Sequence, residues 1–238
     1  MSWVRRAVSA LGEVLITAGL FLLLFVVWQL WWTDVTADRT QAAAIQSIEK
    51  GFGPAGLAER GNEVTPAPPV LKATLTKVPF GQAFGIMRVP RFGSSYARPV
   101  LQGTDHDTLT NGIGHYSGTA FPGQVGNFAV AGHRTTYGKP FANVELLRKG
   151  DVIVIETKAS YIVYAVDRHV IVTPDHVEVI APVPQHKGFQ PKQAWMTMTA
   201  CHPRFSASHR YVVFSRFVKT IPRASGLPAS YMKIPAGS

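Results

Sequence analysis

The chain has 238 residues, a hydrophobic content of 46% and a formal net charge of +10 at pH 7. This length allows one domain with appendages, and the hydrophobic content is ample for a packed core. The single cysteine excludes an exported fold that is held together by disulfides, because such a fold would need cysteines in pairs.

The first predicted element is a transmembrane helix over residues 14–32, a run without any ionised group. Its length suffices to cross the hydrocarbon core of a bilayer. Arg5 and Arg6 precede the run, and Asp34 and Asp38 follow it. The positive-inside rule therefore predicts a single-pass protein of the cell membrane with a cytoplasmic N-terminus. A cleaved signal peptide is the alternative, although its apolar region usually spans only about 7–15 residues.

This topology leaves residues 1–13 in the cytoplasm and exports nearly all of the positive charge. The natural anionic neighbours of an exported basic domain are the lipid bilayer and cell-wall polymers. Nucleic acid is not expected as a partner, since export removes it and no nucleic-acid-binding module is legible. Alternatively, the basic surface only keeps the domain soluble.

Residues 33–80 have little core-forming pattern, and their Gly, Pro and charged residues predict an extracellular linker. Within this segment, residues 37–48 are compatible with a short helix. The globular domain is expected over residues 81–220. The tail at residues 221–238 again lacks a core pattern, and we expect it to be loosely held.

The globular domain is predicted to be mainly β. Two helical turns are indicated, at residues 105–111 and at residues 140–147, where Pro lies in the first turn and Gly beyond the end. Short runs rich in Val, Ile and aromatic residues indicate strands at residues 84–89, 96–101, 127–131, 151–156, 161–172, 194–199 and 211–218. Many short strands with minor helices predict a closed barrel or a sandwich.

Three reactive side chains lie at predicted strand ends. His133 ends the run FAVAGH, Cys201 ends the run TMTAC, and Arg210 opens the run RYVV. A thiolate is a nucleophile that needs nearby positive charge to form at neutral pH, and histidine can exchange its proton. An arginine can stabilise the oxyanion that forms when an amide is attacked. This order of residues predicts nucleophilic catalysis on an amide.

Each of these residues also has a purely structural interpretation. Cys201 can be a buried small hydrophobic residue, His133 a core or surface histidine, and Arg210 a surface cation. Under that interpretation the chain is a wall-binding or scaffold domain without enzymatic activity. His202 is a second candidate for the base, but adjacent residues of a strand face opposite sides.

The segments FAVAGHR, TMTACHP and SASHRYVV resemble the histidine, TLxTC and arginine segments of sortases. The region from residue 103 to residue 141 is similar to the class E subgroup found in high-GC Gram-positive bacteria. L,D-transpeptidases are a weaker match, because their resemblance would require a Ser-His-Gly-Cys run. The resemblance implies an eight-stranded β-barrel with Cys201, His133 and Arg210 as catalytic residues.

The resemblance also implies the reaction. Cys201 would attack the Thr–Gly bond of an LPxTG-like or LAxTG-like sorting signal at the C-terminus of a secreted protein. An amine of a peptidoglycan precursor similar to lipid II would then resolve the thioacyl enzyme. Neither a metal nor another cofactor is expected.

Four further residues are candidates for substrate binding. Tyr116 and His115 lie where class E members place substrate-recognition groups. Thr199 and Ala200 precede the cysteine, and Ala200 replaces the Thr of the family pattern, which puts a substrate hydrogen bond from that position in doubt. The segment Asp105-His106-Asp107 is expected to cap a helix rather than to bind a metal.

Overall fold

The structure, a computed structural model, describes residues 2–53 and 77–233. It contains two α-helices, α1 (Ser2–Phe52) and α2 (His106–Thr110). The strands are β1 (Ala83–Arg88), β2 (Arg98–Gln102), β3 (Ile113–His115), β4 (Gly126–Ala131), β5 (Val152–Glu156), β6 (Ser160–Val172), β7 (Ala194–His202) and β8 (His209–Pro222). Short 3₁₀ turns lie at Pro90–Phe92, Val144–Leu146, Val177–Ile180, Arg223–Ser225 and Ala229–Met232.

The eight strands form a closed barrel in the order β1-β2-β3-β4-β7-β8-β6-β5. The pairs β2–β3 and β4–β7 are parallel, and the remaining pairs are antiparallel. Closure leaves no strand edge exposed, which is how such folds avoid edge-to-edge association. The predicted mainly β fold with a closed eight-stranded barrel is therefore confirmed.

Alternation along β7 shows which side chains face the barrel interior. Met196, Met198 and Ala200 belong to the main hydrophobic core. Their neighbours in the strand point the other way, as the pleat requires. On this outer face the Thr197 hydroxyl donates a hydrogen bond to the Val179 carbonyl of an overlying 3₁₀ turn. Cys201 lies two residues beyond Thr199, so it shares the outer face.

Two predicted local elements differ from the observed ones. Strand β3 was not predicted, because three residues are too few to show an alternating pattern. The helical turn predicted at residues 140–147 is only a 3₁₀ turn at Val144–Leu146. By contrast, α2 lies where a helical turn was predicted. The Asp105 side chain caps it by accepting a hydrogen bond from the Thr108 amide.

Helix α1 extends beyond both ends of the apolar run at residues 14–32. It is long and apolar enough to cross a membrane, with a mean hydropathy of 2.5 over its most apolar 18 residues. The helix then continues to Phe52, so the first part of the predicted linker is helical. Its buried residues Ala37, Gln41 and Ile48 follow a helical spacing and face the barrel. The rest of the predicted linker lies largely at residues 54–76, outside the described residues.

The segment after Thr220 is also more ordered than the predicted loose tail. Ile221 and Pro222 complete β8, and Leu227 and Tyr231 pack against the apolar cluster around Val154. Arg223 is buried and forms a salt bridge with the buried Glu156. The structure therefore extends the folded domain to residue 233, and the last five residues lie outside the described part.

Removing residues 223–238 should destabilise the barrel, because Glu156 would lose one of its two guanidinium partners and apolar side chains would be uncovered. Breaking a buried ion pair costs about 3 kcal/mol or more. For a domain of this size that corresponds to a fall in Tm of roughly 6–12 °C. The check is thermal unfolding of this truncation beside one that ends at Lys233. Equal Tm values for the two truncations would show that Arg223 and its neighbours contribute little.

Candidate active site

Three neighbouring strands bring the predicted catalytic residues to one end of the barrel. Because β4 and β7 are parallel, both end at the same rim, and the antiparallel β8 begins there. Cys201 pairs directly with Arg210 in the β7–β8 ladder, so the two side chains project from the same face. Ala131 pairs with Thr199. His133 and Cys201 each follow two residues later, so both lie at this rim.

The Cys201 thiol is half-buried and free. Its own carbonyl oxygen accepts a hydrogen bond from Arg134 at 3.2 Å. That bond fixes the backbone of the residue that carries the candidate nucleophile. The guanidinium groups of Arg134 and Arg210 thus belong to the surroundings of Cys201.

His133 follows β4 and is half-buried. Burial is the largest cause that lowers its pKa, and the nearby His106 lowers it further. The imidazole is therefore neutral at neutral pH and able to take a proton. Its Nε2 atom is buried, and no described residue forms a hydrogen bond with it. The ring packs instead against Tyr137, with ring centroids 5.0 Å apart.

The guanidinium of Arg210 is held at the start of β8. It donates hydrogen bonds to the carbonyl oxygens of Ala207 at 2.9 Å and of His209 at 3.0 Å. A guanidinium carries five N–H donors, so these two contacts leave donors for a substrate oxygen. The arrangement fits an oxyanion-binding group that is oriented before substrate arrives.

Arg134 is a site residue to which the sequence analysis gave no role. It is buried and forms a salt bridge with Glu145. Burial and the nearby Arg204 lower its pKa, whereas the Tyr211 phenol and the Cys201 thiol raise it. In the sequence, only its position directly after His133 could have identified it as a site residue. The fold shows that its side chain reaches β7.

His202 has a different surrounding from His133. Its Nδ1 accepts a hydrogen bond from Arg134 at 2.9 Å. Burial lowers its pKa, and the positive charge of Arg134 and the neighbouring His209 lower it further. Its ring lies 5.8 Å from that of Tyr211, a core residue of the barrel. His202 thus contributes to the packing around Arg134, and His133 stays the candidate for proton transfer.

Two of the four candidate substrate-binding residues lie on the face that carries Cys201. The Tyr116 hydroxyl and Thr199 Oγ1 form a hydrogen bond of 3.0 Å. Thr199 is itself nearly buried, and its hydroxyl also donates to the Val130 carbonyl. Tyr116 is half-exposed, so it is the member of this pair that a peptide can reach.

The prediction of His115 as a substrate-binding residue is corrected by its burial. Its side chain is inaccessible to solvent. Its Nδ1 contacts Gln102 Oε1 at 2.8 Å, and its Nε2 contacts Thr119 Oγ1 at 2.9 Å. Burial lowers the pKa of His115 to about 4. The residue is a neutral, hydrogen-bonded part of the core because β3 is a barrel strand rather than an exposed loop.

The prediction of Ala200 as a substrate-binding position is corrected in the same way. Ala200 is 2% exposed and belongs to the barrel core, where it lies opposite Tyr211 in the ladder. A side chain at this position points into the barrel, whereas Cys201 points out. The substitution of Thr by Ala in the TLxTC-like pattern therefore changes core packing and not the outer face that carries Cys201.

The closed barrel, with Cys201, His133 and Arg210 at one rim, defines the class: a β-barrel protein with a candidate Cys-His-Arg site. A family model described as a sortase domain matches residues 87–218. Two curated relatives come from Streptomyces coelicolor, and each is 34% identical to this chain. Sortase SrtE1 aligns with 93% of this chain and 60% of its own length, and Sortase SrtE2 with 90% and 83%. This chain thus spans only about 60% of the length of SrtE1.

A solved sortase structure also matches this chain. Sortase E from Streptomyces avermitilis superposes with a TM-score of 0.60 at 39% identity, covering 65% of this chain and 99% of that one. The chain belongs to the sortase family, as its sequence segments predict.

Ala200→Thr should destabilise the barrel, because a larger and polar side chain would enter a filled interior. Overpacking of this kind typically costs about 1–3 kcal/mol. The measurement is the free energy of unfolding in urea. The control is Ala207→Thr, which adds the same atoms at an exposed position. An unchanged stability together with faster peptide cleavage would contradict this placement.

Proposed function

We propose that the protein is a membrane-anchored cysteine transpeptidase. It cleaves a C-terminal sorting signal of the LPxTG or LAxTG type between Thr and Gly and transfers the cargo protein to an amine of a cell-wall precursor. The observation that carries the proposal is the direct pairing of Cys201 with Arg210 in the β7–β8 ladder, beside the end of β4 that bears His133. Membership of the sortase family supports the same reaction class.

The first half-reaction forms a thioacyl enzyme. His133 takes the thiol proton, and the Cys201 sulfur attacks the carbonyl carbon of the signal's threonine. Arg210 donates to the oxygen as it gains negative charge. When this intermediate collapses, the C–N bond breaks, and the departing glycine amine takes the proton from His133. Burial lowers the pKa of His133, so its protonated form is a stronger acid than an exposed imidazolium.

The second half-reaction reverses these roles. The incoming amine attacks the thioester carbonyl, and His133 removes a proton from it. Arg210 again stabilises the oxyanion, the C–S bond breaks, and the leaving Cys201 sulfur takes the proton from His133. The amine of a lipid II-like precursor is the proposed acceptor. The products are a new amide bond and the enzyme in its starting state, so no cofactor is required.

The C-terminal sorting signal of the cargo protein would bind along the outer face of β7. Tyr116 supports this path, because its hydroxyl is hydrogen-bonded to Thr199, which shares the outer face with Cys201. A half-exposed phenol held in this way offers both an apolar ring and a polar tip to a peptide.

The proposed topology places residues 14–32 in the bilayer, with the barrel outside the cell. Support comes from the apolar first part of α1, whose most apolar 18-residue stretch has no buried residue among those described, and from the flanking charges. Arg5 and Arg6 lie on the proposed cytoplasmic side, whereas Asp34 and Asp38 lie on the other. Cargo that is itself exported and a membrane-bound precursor would both reach this side.

The test is cleavage of quenched fluorescent peptides that carry LPxTG or LAxTG by the full-length protein in detergent, with and without an added amine. We expect cleavage of at least one motif and formation of the amine adduct. Cys201→Ala should abolish both while leaving the circular dichroism spectrum unchanged. Peptides with a scrambled motif are the control. Cleavage by Cys201→Ala above about a tenth of the wild-type rate would place the nucleophile elsewhere.

Arg210→Lys separates the charge of this residue from its geometry. Lysine keeps the positive charge but loses the planar fork of donors, and Arg134 retains its own charge near Cys201. We therefore expect alkylation of Cys201 by iodoacetamide to stay near the wild-type rate across pH. Peptide turnover should fall about 10²-fold or more, the usual cost of losing one oxyanion donor.

Arg210→Ala should impair both properties, and Arg216→Lys on the exposed part of β8 is the matched control. A lysine variant at position 210 that turns over peptide nearly as fast as wild type would show that Arg210 acts only as a charge.

A further inference from the structure

The part of α1 that follows the apolar run contacts the loop that follows His133. Asp34 Oδ2 accepts a hydrogen bond from Lys139 Nζ at 2.7 Å, and its Oδ1 accepts one from the Gly138 amide at 3.3 Å. About two turns further along the helix, Gln41 Nε2 donates to the Tyr137 carbonyl at 3.0 Å. Two side chains of α1 therefore hold three consecutive residues of this loop.

The contact between helix and loop is close. Gln41 is completely buried although it belongs to a surface helix. Gly138 has a φ of +70°, and a Cβ atom on it would lie 3.0 Å from Asp38 Oδ1 and from Gln41 Nε2. Glycine thus lets the loop backbone approach the helix.

The loop adopts a conformation that its own sequence disfavours. Tyr137 has a φ of 53° and Lys139 a φ of 37°, the left-handed region that residues other than glycine seldom occupy. Such backbone strain persists only where the surrounding structure determines the conformation, and it clusters at functional sites. Here the surrounding structure includes α1.

Tyr137 is the link between this loop and the candidate base. Its ring lies 5.0 Å from the His133 ring and 5.6 Å from the His106 ring. A catalytic base is usually oriented by a third group that hydrogen-bonds to it. The Nε2 atom of His133 has no such partner among the residues described, so packing against Tyr137 takes over the orienting role.

We propose that Tyr137 is a positioning residue for His133 and that Asp34 and Gln41 of α1 hold Tyr137 in place. The inference rests on the proposed function, in which His133 transfers protons. It makes the helix that continues from the membrane anchor a part of the active site. A barrel separated from this helix would keep Cys201, Arg210 and His133 but would lose the support of the His133 ring.

The first experiment measures kcat and KM for a sorting-signal peptide with the full-length protein in detergent. Tyr137→Ala should lower kcat by about 10-fold or more, because small displacements of a catalytic group cost up to about 10²-fold. KM should change less than about 2-fold. Tyr137→Phe keeps the ring and should retain wild-type kcat. A loss in Tyr137→Ala that lies in KM alone would overturn the positioning role.

The second experiment tests the contribution of α1. Gln41→Ala should lower kcat by about 3-fold or more, as the loop loses a buried contact. Gln46→Ala is the matched control, because it removes the same side chain from an exposed position on the same helix. Thermal unfolding of each variant identifies those that fail to fold. Equal kcat values for the two folded glutamine variants would overturn the proposal.

A third measurement separates this inference from the proposed function. The ring resonances of His133 should shift in Tyr137→Ala and in Gln41→Ala but stay in place in Gln46→Ala. This readout needs no peptide. If the wild-type protein cleaves no sorting-signal peptide while the resonances shift as stated, the proposed function fails and the positioning contact stands. Unchanged resonances in an active protein would overturn the contact instead.

Discussion

The pairing of β7 between β4 and β8 is the constraint on which the site depends. Side chains alternate along a strand, so a slip of one residue would turn Cys201 into the barrel and expose Ala200. Barrel closure prevents this slip, because Met196 and Met198 on the same strand fill the core. The register that satisfies the core therefore also sets Cys201 opposite Arg210. The geometry of the candidate site and the packing of the core thus depend on the same register.

The charges around Cys201 are arranged within this framework. Arg134 lies behind the strand, where Glu145 pairs with it, and Arg210 lies beside the thiol on the next strand. Glu145 also accepts hydrogen bonds from Arg204, which extends the ion-pair cluster toward the β7–β8 loop. Partial burial lowers the pKa of His133, so its imidazole is neutral at neutral pH.

Helix α1 continues past its apolar run and packs along the barrel. Asp38 and Glu49 form salt bridges with Arg98 of β2 and Arg88 of β1. Arg223, which also donates to the Gly53 carbonyl, ties the end of the helix to β8 and Glu156. The helix is thus held at both ends of its contact with the barrel.

The sequence alone determined the features that depend on local pattern. Alternating apolar residues predicted most strands, the run at residues 14–32 predicted an apolar helix long enough to span a membrane, and a lone cysteine at a strand end identified the candidate nucleophile. Capping by Asp105 was likewise legible, because its partner lies three residues away.

Only the tertiary structure decided which face of each strand is buried and which distant segments meet. The alternation of side chains along a strand shows that Ala200 and Cys201 face opposite sides. It does not show which of the two faces the core. His115 is buried because a three-residue strand enters the barrel. The contact between Gln41 and Tyr137 joins residues 96 positions apart. Such contacts depend on the packing of the whole chain, and no local pattern encodes them.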